Sequence, residues 1–259
     1  MPFPETVLLA AFAGLTIYLG LPVGRLRNLS TSWQAMLTAG AGGVILFLIF
    51  DVLSAAMDPV QAALDAARHG GAVVPFLADA SVFAGSVAVG LLSVTYATTR
   101  LRSRAHGPAL PQQLAMGTAL GLGLHNFSEG LAIGQSSSTG ATSLALILVI
   151  GFALHNATEG FGIAAPLASG ERPSWAFLGD LGLVGGGPTF LGGVVGYTFA
   201  SPLVSIAFLG LAAGALVFVF NEMMAVVRRF ALPMTASTAI LLGLIAGVGT
   251  DLILTAAGV

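Results

Sequence analysis

The chain has 259 residues, 56% of them hydrophobic and only 8% charged, with a formal net charge of −2. Soluble domains carry roughly 25% charged residues, so the composition excludes an ordinary soluble enzyme or nucleic-acid-binding module and predicts a membrane protein. Cysteine is absent, which excludes disulfides, thiolate metal sites and thiol redox chemistry.

A spanning helix needs about 20 largely apolar residues. Read between loop signals, the sequence predicts eight transmembrane helices, over residues 6–24, 35–57, 75–98, 112–134, 142–166, 175–199, 203–227 and 235–257. Together they form one all-α membrane domain covering 1–259, with no connection long enough to hold a soluble domain. The first helix follows Glu5 and precedes Arg25 and Arg27, the reverse of a secretory signal, so it is expected to persist in the mature protein.

All nine basic residues are arginines. The connections after helices one, three, five and seven hold two, three, one and two of them, and the remaining connections hold only Arg68. Cytoplasmic loops collect basic residues, so both termini are expected outside, with the chain in a plasma or bacterial inner membrane.

Acidic residues recur along the helices in chain order: Asp51, Asp79, Glu129, Glu159, Asp180, Glu222 and Asp251. No arginine falls within any predicted span to pair with them. Each carboxylate costs about 2.5–3.5 kcal/mol at a helix centre on insertion scales, so these groups are expected to face a bundle interior or water. A cation is the natural missing partner. Asp51, Asp79 and Asp251 fall toward the outer helix ends and Asp180 and Glu222 toward the inner ends, with Asn221 beside Glu222. For Asp79, Asp180 and Asp251, simple contact with interfacial water is the competing reading.

Between these approaches lies a repeat, LHNFSEG at 124–130 and LHNATEG at 154–160. Histidine and glutamate at i and i+4 share one helical face. The fourth and fifth helices run in opposite directions, so His125, Glu129, His155 and Glu159 are predicted to meet as a mid-membrane cage. Two imidazoles and two carboxylates suit zinc and its neighbours, and a charge near −2 neutralises a divalent ion. Asn126 and Asn156, turned about 100° away, can serve an adjacent position. Gly130 and Gly160 read as close-packing residues. Ser128 and Thr158 are expected to bond back to carbonyls one turn earlier and bend their helices.

These residues resemble those of the ZIP (Zrt/Irt-like) family of divalent-metal transporters, whose fourth and fifth helices carry H-N-x-P-E-G and a related H-x-x-P-E-G. The resemblance extends to the eight-helix plan with both termini outside and, more weakly, to NEMM at 221–224. It implies uptake of zinc, and often iron, manganese or cadmium, toward the cytoplasm. It also implies that His125, Glu129, His155 and Glu159 form the primary site, that Asn126 and Asn156 contribute to a neighbouring one, and that Glu222 aids release. The homodimer is a further expectation from the family. The chain departs from the pattern where Ser128 and Thr158 replace the motif prolines. It departs again where the sixth helix, GGGPTFLGGVVG, lacks an acidic residue before its proline. One well-made site with a weaker neighbour is therefore expected.

The function expected is that of a divalent transition-metal transporter, with Zn²⁺ or a similar ion as substrate rather than cofactor, and with Asp51, Asn221, Glu222 and Asp251 along the pathway. Membrane lipid is the only other expected partner besides a second copy; nucleic acid is not one. Two alternatives stay open: a proton-coupled carrier of an organic solute using the His/Glu groups as a relay, and an intramembrane zinc-dependent hydrolase. An enzyme is not expected, because H-E-x-x-H and a separate general base are missing.

Overall fold

The structure, a computed structural model, describes residues 1–102, 110–199 and 201–256; the side chains of a few helical residues, His155 among them, lie outside the described residues. Within this range the chain forms eight α-helices and no strand: α1 Phe3–Leu15, α2 Thr31–Arg68, α3 Val73–Arg102, α4 Leu110–Ser138, α5 Thr142–Ala164, α6 Trp175–Thr198, α7 Pro202–Arg229 and α8 Pro233–Ala256. Short 3₁₀ turns follow α1, at Thr16–Leu19 and Leu21–Arg25, and α5, at Ala165–Ser169.

Two elements differ from expectation, each for a local reason. Residues 16–25 tighten into 3₁₀ turns instead of continuing the first helix. Pro22 brings no N–H to the ladder, and Gly20 presses on α5, where an added Cβ would fall 2.2 Å from the Phe161 nitrogen. α2 runs past the expected end at 57 to a length of 38 residues, about 57 Å at about 1.5 Å per residue. Pro59 removes one backbone bond, to the Ala55 carbonyl, but the following VQAALDAAR consists largely of good helix formers. It carries the helix to an exposed Asp65–Arg68 pair at 3.9 Å.

Among the described residues, seven helical segments are long and apolar enough to cross a membrane: Phe3–Arg25, Thr31–Arg68, Val73–Tyr96, Thr142–Ala168, Trp175–Thr198, Pro202–Arg229 and Pro233–Leu252. The remaining helix, α4, is 29 residues long and rich in Gly, Ser and Gln. It lies against α5, α6, α7 and α1, with Ala115, Thr118, Ala119, Leu122 and Asn126 almost wholly buried. A helix encased by its neighbours needs no apolar exterior.

The helices pack as two sets. α4 and α1 lie along α6 with α5 beside them, while α3 pairs with α7 and α2 with α8 and α7. Within each set backbones touch. A Cβ at Gly130 would fall 2.1 Å from the Thr189 carbonyl oxygen, at Gly160 1.9 Å from that of Ile17, at Gly90 2.2 Å from that of Leu211, and at Gly243 2.0 Å from that of Gly40. The motif glycines are thus packing residues. Where α4 meets α7, between the sets, the approach at two α4 glycines is looser: a Cβ at Gly121 would sit 3.4 Å from Ala215 Cβ, and at Gly117 3.8 Å from Val219 Cγ2.

Short connections make successive helices antiparallel. Arg25 and Arg27, Arg100 and Arg102, Arg172, and Arg228 and Arg229 therefore gather at one end of the bundle, and Arg68 stands at the other.

Candidate metal centre

The repeat does on α4 what its spacing predicts. His125 and Glu129 lie one turn apart with Nε2 and Oε1 separated by 3.5 Å, and Glu159 of α5 brings its Oε1 within 3.9 Å of the same imidazole nitrogen. One ligand atom from each lies within 4.8 Å of the others. Glu159 is fully buried, and His125 and Glu129 are only 5% exposed. Tetrahedral zinc, with bonds of about 2.1 Å, holds its ligand atoms about 3.4 Å apart, so the spacing already approaches a coordination shell. Of the four-member cage expected from the sequence, three members come together; the side chain of the fourth, His155, lies outside the described residues.

The asparagines secure this arrangement. Asn126 Nδ2 donates to Glu159 Oε2 at 2.8 Å and to the Gly185 carbonyl of α6 at 3.0 Å. Asn156 Nδ2 donates to the Ala13 carbonyl of α1 at 3.0 Å. The amide nitrogens are thereby committed to holding helices, and the two buried Oδ1 atoms, without a hydrogen-bond partner among the described residues, are what the asparagines can turn toward a cation. Ser128 does not make the expected bond back to the carbonyl one turn earlier. Among the described residues its Oγ has no hydrogen-bond partner, and Ser128 lines the cavity beside Glu129 instead of bonding back along the helix.

A cavity of about 470 Å³ leads to the cluster. Asp51, Ala55 and Pro59 form one wall at i, i+4 and i+8 of α2, and His125, Ser128, Glu129, Ala132 and Gln135 form another on α4. Leu148 and Phe152 of α5, Pro202, Ser205 and Leu209 of α7 and Asp251 of α8 complete it. Gln135 lies near the end of α4 and Pro202 begins α7, so the cavity reaches the arginine-poor end of the bundle. Asp51 and Asp251 therefore share a chamber with His125 and Glu129. Asp51 lies near the middle of the 38-residue α2, which continues beyond it to Arg68. Gln135 and Ser205 were not singled out from the sequence; for Gln135, the signal was its place on the His125–Ser128–Ala132 stripe.

On the arginine-rich side the bundle is packed. Ile45 and Leu48 of α2, Ala119 and Leu122 of α4, Ile163 of α5, and Leu216, Val219 and Met223 of α7 form one buried apolar cluster. Between Val219 and Met223 on the same helix, Asn221 is exposed and Glu222 half-buried; neither joins the cluster of ligand atoms. Asp79, half-buried on α3, and Asp180, exposed on α6, do not line the cavity.

The arrangement can bind a divalent ion. Two carboxylates and a neutral imidazole supply mixed N/O ligands and two negative charges, and no arginine among the described residues forms an ion pair with either glutamate. Compared with protein-family models and with curated proteins, the chain matches none. The functional reading therefore rests on the chemistry of this site.

Proposed function

We propose that this chain is a secondary transporter of divalent transition-metal ions, zinc foremost, and a member of the ZIP family, carrying its ion from the arginine-poor to the arginine-rich, cytoplasmic side. The observation that carries the reading is the buried His125–Glu129–Glu159 cluster at the foot of a cavity open to one end of a membrane-like bundle.

An entering cation meets Asp51 and Asp251 first. Acidic groups in a low-dielectric cleft concentrate counter-ions and speed their capture. The ion then exchanges water for the His125 nitrogen and the glutamate oxygens, whose charges cancel its own. That cancellation makes a mid-membrane position tolerable for both ion and carboxylates. Imidazole and carboxylate together fit zinc, cadmium, iron and manganese better than Ca²⁺ or Mg²⁺, which favour oxygen-only ligands.

Release needs the apolar plug on the arginine-rich side to part. The packing supports a route: His125, Glu129 and Glu159 all ride on the α1/α4/α5/α6 set, whereas Asp51, Asp251 and Glu222 belong to the α2/α3/α7/α8 set. Sliding one rigid set against the other along the looser approach between α4 and α7 would carry the site past the plug, a shear motion of packed helices. Access would then alternate between sides around one ion site. In this reading α4 is also membrane-spanning, shielded from lipid by its neighbours, which makes eight spans with both termini outside.

The test is flux into liposomes containing the purified protein. Zinc and cadmium are expected to enter saturably, to stop with an external chelator, and to stop in Glu129→Ala. Uptake of organic solutes that ignores chelators would favour a proton relay, and zinc-dependent hydrolysis without flux would favour an enzyme.

A further inference from the structure

At the arginine-rich end the 3₁₀ tail of α1 delivers Arg25, with Arg27 two residues on, against the α5–α6 connection at Pro173, the residue after Arg172. Arg25 is held in place: its Nη1 donates to the Pro173 carbonyl, and its guanidinium stacks on the Trp175 ring with 4.3 Å between Cζ and the ring centroid. Among the described residues, Arg27 donates only to the Leu26 carbonyl, at 3.0 Å. No ion pair among the described residues joins any of the three to a carboxylate, and Glu171, next to Arg172, is exposed. Among the described residues, Arg25 Nε and Arg27 Nε and Nη2 have no hydrogen-bond partner. Three guanidinium-bearing residues at one corner of the bundle, with no ion pair to a carboxylate among the described residues, repel one another, and an anion would relieve this.

The same α1–α6 seam continues into the membrane as a groove of about 450 Å³, bounded by Ala11 and Leu15 of α1 and by Leu183, Gly187, Phe190 and Leu191 of α6. Leu15, Leu183 and Leu191 are 58%, 65% and 54% exposed. From Trp175 to Leu183 along α6 is about 12 Å at about 1.5 Å per residue, shorter than one leaflet of a hydrocarbon core about 30 Å thick. Gly187 leaves the groove open, since a Cβ there would meet only Leu183, at 3.4 Å.

We propose that this seam binds an anionic phospholipid of the arginine-rich leaflet, its phosphate held by Arg25, Arg27 and Arg172 and one acyl chain lying in the groove. An apolar groove by itself is ordinary lipid-facing surface. The basic cluster at its foot commits it to an anionic headgroup, as basic pockets between membrane helices do. The site is independent of the metal centre.

Native mass spectrometry of the purified full chain reads this directly, using phosphatidylglycerol and phosphatidylcholine with identical acyl chains. The wild type is expected to retain one phosphatidylglycerol at least about tenfold more strongly than phosphatidylcholine. Arg25→Gln with Arg172→Gln is expected to abolish the preference. Arg228→Gln with Arg229→Gln, which removes the same charge from the same end, is expected to keep it. Gly187→Leu, which fills the groove without touching an arginine, is expected to weaken retention of phosphatidylglycerol. Equal retention of the two lipids by the wild type, an undiminished preference in the Arg25/Arg172 variant, or equal loss in both double variants would overturn the proposal. So would displacement of the lipid by inorganic phosphate alone, which would mark a site for free anions.

Discussion

Asn126 on α4 and Glu159 on α5 are joined by a 2.8 Å hydrogen bond in which the amide nitrogen donates to Oε2. The same nitrogen reaches the Gly185 carbonyl on α6 at 3.0 Å, so one side chain ties three helices at the level of the site. The bond orients the carboxylate and leaves its Oε1 toward His125, 3.9 Å away. Partners that orient a ligand without touching the ion are typically worth about 10–100-fold in metal affinity. Asn126→Ala is therefore expected to weaken zinc binding by about that factor, measured by competition with a chromophoric chelator. Asn126→Asp, which sets a second carboxylate against Glu159, is expected to disturb the site further.

Asp51 lines the entrance from the other helix set and is not one of the three clustered ligands. Asp51→Asn is expected to raise the KM for zinc entry several-fold while leaving the maximal rate near the wild-type value. Because attraction of this kind is screened by salt, the difference between variant and wild type should shrink as ionic strength rises. Initial-rate measurements in liposomes at two salt concentrations check both points.

Metal binding should weaken in acid. Imidazole binds metal only when neutral, and in water it titrates at about 6.5. A bound ion must displace protons from His125 and the glutamates, so binding releases protons, and falling pH favours the proton-loaded, metal-free form. The expected outcome is a zinc affinity that is highest above neutrality and falls through the acid range, with proton release on binding visible in a weakly buffered titration.

The motif glycines make a structural prediction. Gly130→Ala places a methyl group 2.1 Å from the Thr189 carbonyl oxygen, which backbone shifts must relieve at a cost of about 1–3 kcal/mol. Gly85→Ala on α3, where an added Cβ meets nothing within 4 Å, is expected to be neutral or slightly stabilising, since alanine favours helix. Thermal unfolding of the two purified variants in one detergent separates them.

The helices were legible because runs of apolar residues between Pro, Gly and Arg signals leave little choice of structure. The meeting of His125, Glu129 and Glu159 was legible because i, i+4 spacing on antiparallel neighbours brings side chains together. The reach of α2 beyond residue 57 was not, since a proline followed by declining hydropathy reads as a helix end although the stretch after it remains strongly helical. The pairing of α3 with α7 and of α2 with α8 left no periodic trace in the chain; it depends on where Gly90, Gly214, Gly43 and Gly243 let backbones touch. Ser128 shows the limit of local rules, because a serine that can bond back along its helix instead faces a cavity that only the tertiary fold creates.

Zinc X-ray absorption on the purified protein, compared between wild type and a His125→Ala, Glu159→Gln variant, tests the central claim most directly. One zinc per chain is predicted in a shell of nitrogen and oxygen ligands at about 2.0–2.2 Å, with imidazole outer-shell scattering, and this signal should be lost in the variant. Stoichiometric zinc with an unchanged spectrum in the variant, or no zinc bound by the wild type at neutral pH, would contradict the account.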